Sequence, residues 1–262
     1  VQSPALRMIV ERELEIEAFK SQEYWTVHLD SHKDHQPFTA KLFQYQGKKL
    51  EQLSIGSRAE YDAIFAKLND AKLPPKVVRV EKKAKQRYAA APFTTSTLQQ
   101  EAVRKLGMTA DRTMRTAQSL YEGVDIGGQT VGLISYMRTD SVSLAKEAVQ
   151  EIRDYIKNNF SGEYLPATQP TYKSKTKNAQ ESHEAIRPTS IARTPDSLRG
   201  HLTADQARLY EMIWKRTLAC QMSPARFDTV SLDIRLGGDN TQFRANGQVL
   251  VFPGFIGVYM ED

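Results

Sequence analysis

Tyr136, Arg138 and Asp140 occupy alternate positions in GLISYMRTDS, residues 132–141. In an extended segment alternate side chains share one face, so a phenol, a guanidinium and a carboxylate would stand in a row. A free tyrosine has a pKa of about 10, so about one phenol in a thousand is ionised at neutral pH. A neighbouring guanidinium stabilises the phenolate and can also clamp a phosphate through paired donors. Tyrosine is a competent covalent nucleophile, and beside an arginine it has the parts for attack on a phosphodiester. The plain alternative is a surface Tyr-x-Arg pair at a strand end. A second constellation lies in SHEAIRPTS, where His183 and Arg187 are four apart. They face the same way if the segment is helical, although Pro188 disfavours helix at Arg187. A histidine and an arginine beside a polar loop suit phosphate binding; a structural histidine is the plain alternative.

The motifs that are missing narrow the chemistry. There is no G-x-x-x-x-G-K-[ST] and no G-x-G-x-x-G, so neither common nucleotide-binding loop is present. No two aspartates stand two apart, His183-Glu184 is not followed by a second histidine at metal spacing, and paired cysteines are lacking. No metal site is legible by motif. The single cysteine, Cys220, sits in an apolar helical pattern and reads as a small core residue in a reducing compartment. With 36 Lys and Arg against 31 Asp and Glu, a formal +5, the chain leans mildly toward anionic partners. No apolar run approaches the roughly 20 residues of a membrane span, and no signal peptide is visible. A cytoplasmic protein without membrane contact is expected.

These residues need a scaffold. Residues 4–19 carry Leu6, Ile9, Val10, Leu14 and Ile16 among charges, one amphipathic helix. YWTVHLD, PFTAKLFQYQ and KLEQLSI then read as a strand meander. Ser57 with Glu60 is a capping box for a helix to about Leu73, stopped by Pro74 and Pro75. KVVRVEKKAKQRYAAAPF is extended and basic, suited either to a phosphate backbone or to a solvated linker strand. TTSTLQQEAVRKLG and TADRTMRTAQSLYEG read as two helices ended by Gly107 and Gly123, and VDIGGQT as a loop. Asp140 or Ser141 can cap a helix over VSLAKEAVQEIRDYIKNNF. Residues 161–182 have the composition of a long surface loop. Thr203 with Gln206 caps another helix, and from Phe227 the period drops to two through GFIGVYM. The expected architecture is α+β: a β-rich domain of residues 20–91 and 222–262, with a helical domain of residues 92–221 inserted into it.

GLISYMRTDS, SHEAIRPTS, PFTTSTLQQEAVRKLG and VQSPALRMIVERE occur here in an order that resembles the bacterial type IA DNA topoisomerases, nearest their topoisomerase I branch, over essentially the whole chain. The resemblance implies that Tyr136 cuts one DNA strand and holds its 5′ phosphate as a phosphotyrosine ester. It also implies that Arg138 stabilises the scissile phosphate and that His183 hydrogen-bonds the same region. Arg187 would support the site or the strand. Thr95, Ser96 and Gln99 would meet the DNA backbone, with helix capping as the alternative; Asp140 would position DNA or cap. The β-rich domain corresponds to the family's arch, domain II, and the helical one to domain III. Residues 1–19 correspond to part of domain IV, where Arg7 and Gln2 would face single-stranded DNA.

The chain also departs from the family. It opens at Val1 in an apparent helix without a cap, as a piece of a longer protein would, and carries no D-x-D of the metal-binding TOPRIM domain. The Mg²⁺ used in resealing, and the general acid for the leaving 3′ hydroxyl, would therefore come from the remaining domains of the same protein. The expected activity is passage of a strand through a transient break in DNA, relaxing negatively supercoiled duplex in the nucleoid without ATP, with the isolated chain inactive. Ser135 stands where threonine would serve as well. The rival expectation is a non-catalytic single-stranded-DNA-binding module; a tyrosine recombinase would need different arginine and histidine spacings.

Overall fold

The computed structural model describes residues 2–70, 74–173, 184–237 and 240–260. In chain order its elements are α1 (Gln2–Ala18), β1 (His28–Lys33), β2 (Gln36–Tyr45), β3 (Lys48–Lys49), α2 (Arg58–Asn69), β4 (Lys76–Arg87), α3 (Thr95–Glu101), α4 (Ala110–Glu122), β5 (Val124–Ile126), β6 (Gln129–Val131), α5 (Lys146–Asn159), α6 (Ala204–Ala219), β7 (Ala225–Arg235) and β8 (Gln242–Phe252). Contacts divide the chain into a β-rich unit, residues 1–83 with 228–249, and a mainly helical unit, residues 84–227 with 250–262. The protein is α+β, with the two units interleaved in sequence: residues 84–227 lie between the two segments of the β-rich unit, and residues 250–262 return to the helical one. The divisions fall at 83/84, 227/228 and 249/250, not at 91/92 and 221/222. The last stretch joins the helical unit because Phe255 and Tyr259 insert into that unit's core.

In the β-rich unit the strands run in the order β1-β2-β8-β7-β4, with β3 beside β2. β1 and β2 are antiparallel, Leu29 opposite Ala40 and Ser31 opposite Phe38. Strand alternation sends Ala40 and Leu42 of β2 and Phe243 and Ala245 of β8 to one face, where they form a core with Val27, Ile55 and Ile234. Helix α2 covers this core with Tyr61, Ile64 and Leu68, spaced along one helical stripe. Its cap is Ser57, whose side chain accepts from Glu60 N at 3.3 Å, while Glu60 reaches back to Gly56 N at 2.8 Å. The basic stretch is the edge strand β4, exposed except at Glu81, which is held between Arg79 and Lys83. Lysine along an edge discourages pairing with another sheet. α1 buries none of its residues.

The helical unit packs α4, α5 and α6 around Phe93, Leu120, Leu133, Met137, Ile186 and Ile213. Thr203 and Gln206 form the expected capping box of α6. Three expectations are corrected here. VDIGGQT is a two-stranded hairpin, β5 with β6, because Gly127 and Gly128 both take positive φ, 65° and 91°, as a tight hairpin turn requires. GFIGVYM is no strand: residues 254–257 form a 3₁₀ turn, with Gly254 at φ 49° so close to the Ser223 and Pro224 carbonyls that any Cβ would collide. α5 begins at Lys146 with Ala145 as its cap residue, so neither Asp140 nor Ser141 caps it. Ser141 is instead buried, accepting from Ser143 N at 3.1 Å.

Candidate active site

Three segments of the helical unit meet around Tyr136. The first is the start of α3. Thr94 is its cap, in a box with Thr97, so Thr95, Ser96 and Gln99 are not caps. α3 runs into one π-helical turn, Ala102–Leu106, closed by Gly107 in the left-handed conformation. The second segment is residues 132–141 and the third residues 184–190. Antiparallel bridges join Phe93 to Ile186 and Ile134 to Pro188. Each bridge stays isolated; Pro188 has no N–H to carry a ladder further, and GLISYM is accordingly irregular chain with bends at Ser135 and Met137 rather than a strand.

The alternation survives without the strand. Met137, Thr139 and Ser141 are buried, while Tyr136, Arg138 and Asp140 are exposed. Tyr136 is 47% exposed, and its ring meets the edge of Tyr121, 5.4 Å between centroids. Tyr121 is held close by Gly132: a Cβ there would stand 2.8 Å from the Tyr121 carbonyl oxygen, and the next amide, Leu133 N, donates to Leu120 O at 2.7 Å. Arg138 has no ion-pair or hydrogen-bond partner among the described residues, so its donors face solvent. Asp140 is exposed in the same row.

Two hydroxyl residues tie these segments together. Thr95 N donates to Thr139 O at 2.9 Å, Thr139 N donates to Thr95 Oγ1 at 2.9 Å, and Thr95 Oγ1 donates to Met137 O at 2.8 Å. Ser135 N donates to Arg187 O at 2.8 Å, Arg187 N donates to Ser135 Oγ at 2.9 Å, and Ser135 Oγ donates to Ala185 O at 2.7 Å. Arg187 points inward, with Nε on Glu184 Oε2 at 2.8 Å and Nη1 on the Pro188 carbonyl at 2.9 Å. The other carboxylate oxygen of Glu184 accepts from Ala145 N at 2.9 Å, at the start of α5.

The other candidates are distributed as follows. Ser96 is exposed and Gln99 half-buried, on the first turns of α3. His183 lies outside the described residues, and residues 184–188, which follow it, are not helical. Gln2 and Arg7 lie on α1 in the β-rich unit, with Arg7 paired to Glu11 at 2.6 Å. Three contributors were not singled out as functional from the sequence: Ser135, Glu184 and Tyr121. Glu184 stands inside HEAIRP, and its type, an acid three residues before an arginine, was the available signal. Among the described residues no three His, Cys, Asp or Glu side chains gather as a metal set.

A solvent-facing phenol on a pinned backbone, with an exposed guanidinium in the same row, can present a nucleophile and an anion-stabilising group to one phosphate. The model of a DNA topoisomerase family matches residues 1–262. DNA topoisomerase 1 of Rickettsia felis is 50% identical over 265 residues, covering 100% of this chain and 34% of that protein. DNA topoisomerase 1 of Xylella fastidiosa is 49% identical over 263 residues, with 100% and 32% covered. The full-length topoisomerase I of Thermotoga maritima, a solved structure, matches with a TM-score of 0.78 at 31% identity, over 100% of this chain and 40% of that one. The chain spans about a third of the length of these curated relatives.

Proposed function

This chain belongs to the DNA topoisomerase family, and from that premise we propose that it supplies the cleaving tyrosine of a type IA enzyme. The Tyr136 oxygen attacks a backbone phosphorus of one DNA strand; the phenolic proton is lost, the bond to the 3′ oxygen breaks, and the 3′ hydroxyl leaves with a proton. The 5′ phosphate stays on Tyr136 as an ester. That ester conserves the energy of the broken linkage, so after a strand has passed the 3′ hydroxyl displaces the tyrosine without ATP. Relaxation of negatively supercoiled DNA in the cytoplasm follows as the activity of the longer protein. No described helix is long and apolar enough to cross a membrane.

Arg138 stabilises the charge that develops on the phosphate oxygens, and its exposure, with no partner among the described residues, supports that role. His183, by family resemblance, hydrogen-bonds the same phosphate, and Ser96 and Gln99 are candidates to meet the neighbouring backbone. Asp140 stands beside them in the exposed row. Gln2 and Arg7 of α1 are candidate contacts to single-stranded DNA. Mg²⁺ would supply charge neutralisation during resealing; by family resemblance we assign the ion and the general acid for the leaving 3′ hydroxyl to other parts of a longer protein. On this reading the isolated chain binds DNA weakly and does not cleave it.

The observation that carries this reading is the exposed Tyr136 and Arg138 pair on a segment whose intervening residues are buried. The test uses a full-length topoisomerase carrying this segment, internally labelled single-stranded DNA and Mg²⁺. A denaturant-resistant protein–DNA adduct is expected, and it should vanish in Tyr136→Phe. Adduct that persists in Tyr136→Phe moves the nucleophile elsewhere. Tight DNA binding without adduct in either protein favours the non-catalytic binding module.

A further inference from the structure

The two hydroxyl linkages described above have one geometry. In each, a hydroxyl residue donates its backbone N–H to the carbonyl of a partner residue. That partner's N–H returns to the hydroxyl oxygen, and the hydroxyl proton goes to the carbonyl two residues before the partner, which for Thr95 is the nearer of two acceptors, at 2.8 Å against 3.1 Å for Thr139 O. For Thr95 the partner is Thr139 and the earlier carbonyl belongs to Met137; for Ser135 they are Arg187 and Ala185. A single side-chain oxygen thus stands in for a residue of a neighbouring strand, satisfying one N–H and one C=O at once. Resting on the nucleophile reading, we propose that Thr95 and Ser135 are positioning residues that hold Tyr136 and Arg138 in register for attack.

The placement supports this role. Ser135 fixes the backbone immediately before Tyr136, and Thr95 fixes it immediately after, at Met137 and Thr139, on both sides of Arg138. Tyr136 and Arg138 are exposed, so side-chain packing holds them weakly; apart from the Tyr121 edge against Tyr136, backbone bonds set their direction. The Ser135 clamp does a second service, since its partner segment begins next to His183. One pair of clamps therefore fixes the relation of Tyr136 to both α3 and the HEAIRP segment. Neither hydroxyl contacts the reacting atoms in this arrangement, and neither is a catalytic residue. A shift of about 1 Å in a reacting group can slow a reaction about a hundredfold, so loosening either clamp acts on the rate of cleavage more than on DNA affinity.

Thr95→Val keeps the shape and removes the hydroxyl; Thr95→Ser keeps the hydroxyl and removes a methyl. In a full-length topoisomerase carrying this segment, single-turnover adduct formation and DNA affinity without metal are measured for both, beside Ser135→Ala and Ser135→Thr. Amide exchange at Thr139 reports whether the clamp has opened. The expected result is adduct formation slowed at least about tenfold in Thr95→Val and in Ser135→Ala, with DNA affinity changed by less than about threefold. Thr95→Ser and Ser135→Thr should restore the rate to within about threefold of the parent. Faster exchange at Thr139 with an unchanged cleavage rate overturns the proposal, as does a Thr95→Ser protein as slow as Thr95→Val. If Thr95→Val does not fold, the Ser135 pair decides by the same criteria. A parent that forms no adduct refutes the nucleophile reading, and the proposal with it; a parent that cleaves beside variants that cleave equally well refutes the clamps alone.

Discussion

Tyr136 keeps about half of its surface in solvent because its neighbours do the packing: Met137 is fully buried and Thr139 nearly so. The alternation was legible in the sequence as the period of a strand, and it persists here although the chain bends at Ser135 and Met137. What the sequence could not give was the source of the restraint. Nothing in GLISYMRTDS says that Thr95, some forty residues away, returns to bond Met137 and Thr139. Nor does it say that Arg187 is occupied by Glu184 while Arg138 has no partner among the described residues. From that difference follows a separation of roles between two arginines that look equivalent in sequence. Arg138→Ala should lower adduct formation by about 10²–10³, the usual effect of removing one donor from a developing oxyanion. Arg138→Lys should fall between, because an ammonium keeps the charge and loses the planar fork. Neither change should move the thermal midpoint by more than about 2 °C, since an exposed, unpartnered side chain stabilises little. Adduct kinetics and a thermal melt of the same preparations check both statements.

At the scale of elements, the helices were readable where their caps were. Thr203 with Gln206 marks α6, and Ser57 marks α2. Elements defined by backbone proximity were harder. The hairpin β5–β6 carries its signal in Gly127-Gly128, yet two adjacent glycines also suit an irregular loop. GFIGVYM has strand composition but turns because Gly254 must fit beneath two carbonyls. Gly132 belongs to the same class: its need for hydrogen in place of Cβ comes from the Tyr121 carbonyl, 2.8 Å from where the Cβ would sit. Gly132→Ala is expected to push the chain off α4 and disturb the Tyr121–Tyr136 pair, at a cost of about 1–3 kcal/mol, as for other forced overpacking. Gly162→Ala is the control, with nothing within 4 Å of the added atom, and should stay within about 0.5 kcal/mol. Urea titrations of the two variants measure the difference. A Gly132→Ala protein as stable as the control would mean that the approach to Tyr121 relaxes freely.

Across the whole molecule, the α+β class, and a helical stretch lying between two β-rich ones, followed from the change of periodicity along the chain. The position of residues 250–262 did not, because strand-like composition cannot tell which core Phe255 and Tyr259 will enter. The helical unit holds several of its acids as buried, protonated groups. In the helical unit, burial pushes the Cys220 thiol up to about 12 from its ordinary 9.0, and burial likewise raises the phenols of Tyr172, Tyr210 and Tyr259. A raised pKa on an acid means that the folded state keeps a proton the unfolded chain gives up. The resulting stability is present below the unfolded value, about 9 for the thiol and about 10 for the phenols, and is lost as pH climbs toward the folded value. Each such group contributes a slope approaching about 1.4 kcal/mol per pH unit within that window. Each unit also contains one of the two tryptophans, Trp25 in the β-rich unit and Trp214 in the helical one. With Trp25→Phe leaving Trp214 as the reporter, and Trp214→Phe leaving Trp25, urea midpoints measured from pH 7 to about pH 11 should diverge. The Trp214 transition is expected to weaken progressively above about pH 9, well ahead of the Trp25 transition. Parallel loss at both reporters would show that alkaline instability is set by net charge on the whole chain instead of by buried acids in one unit.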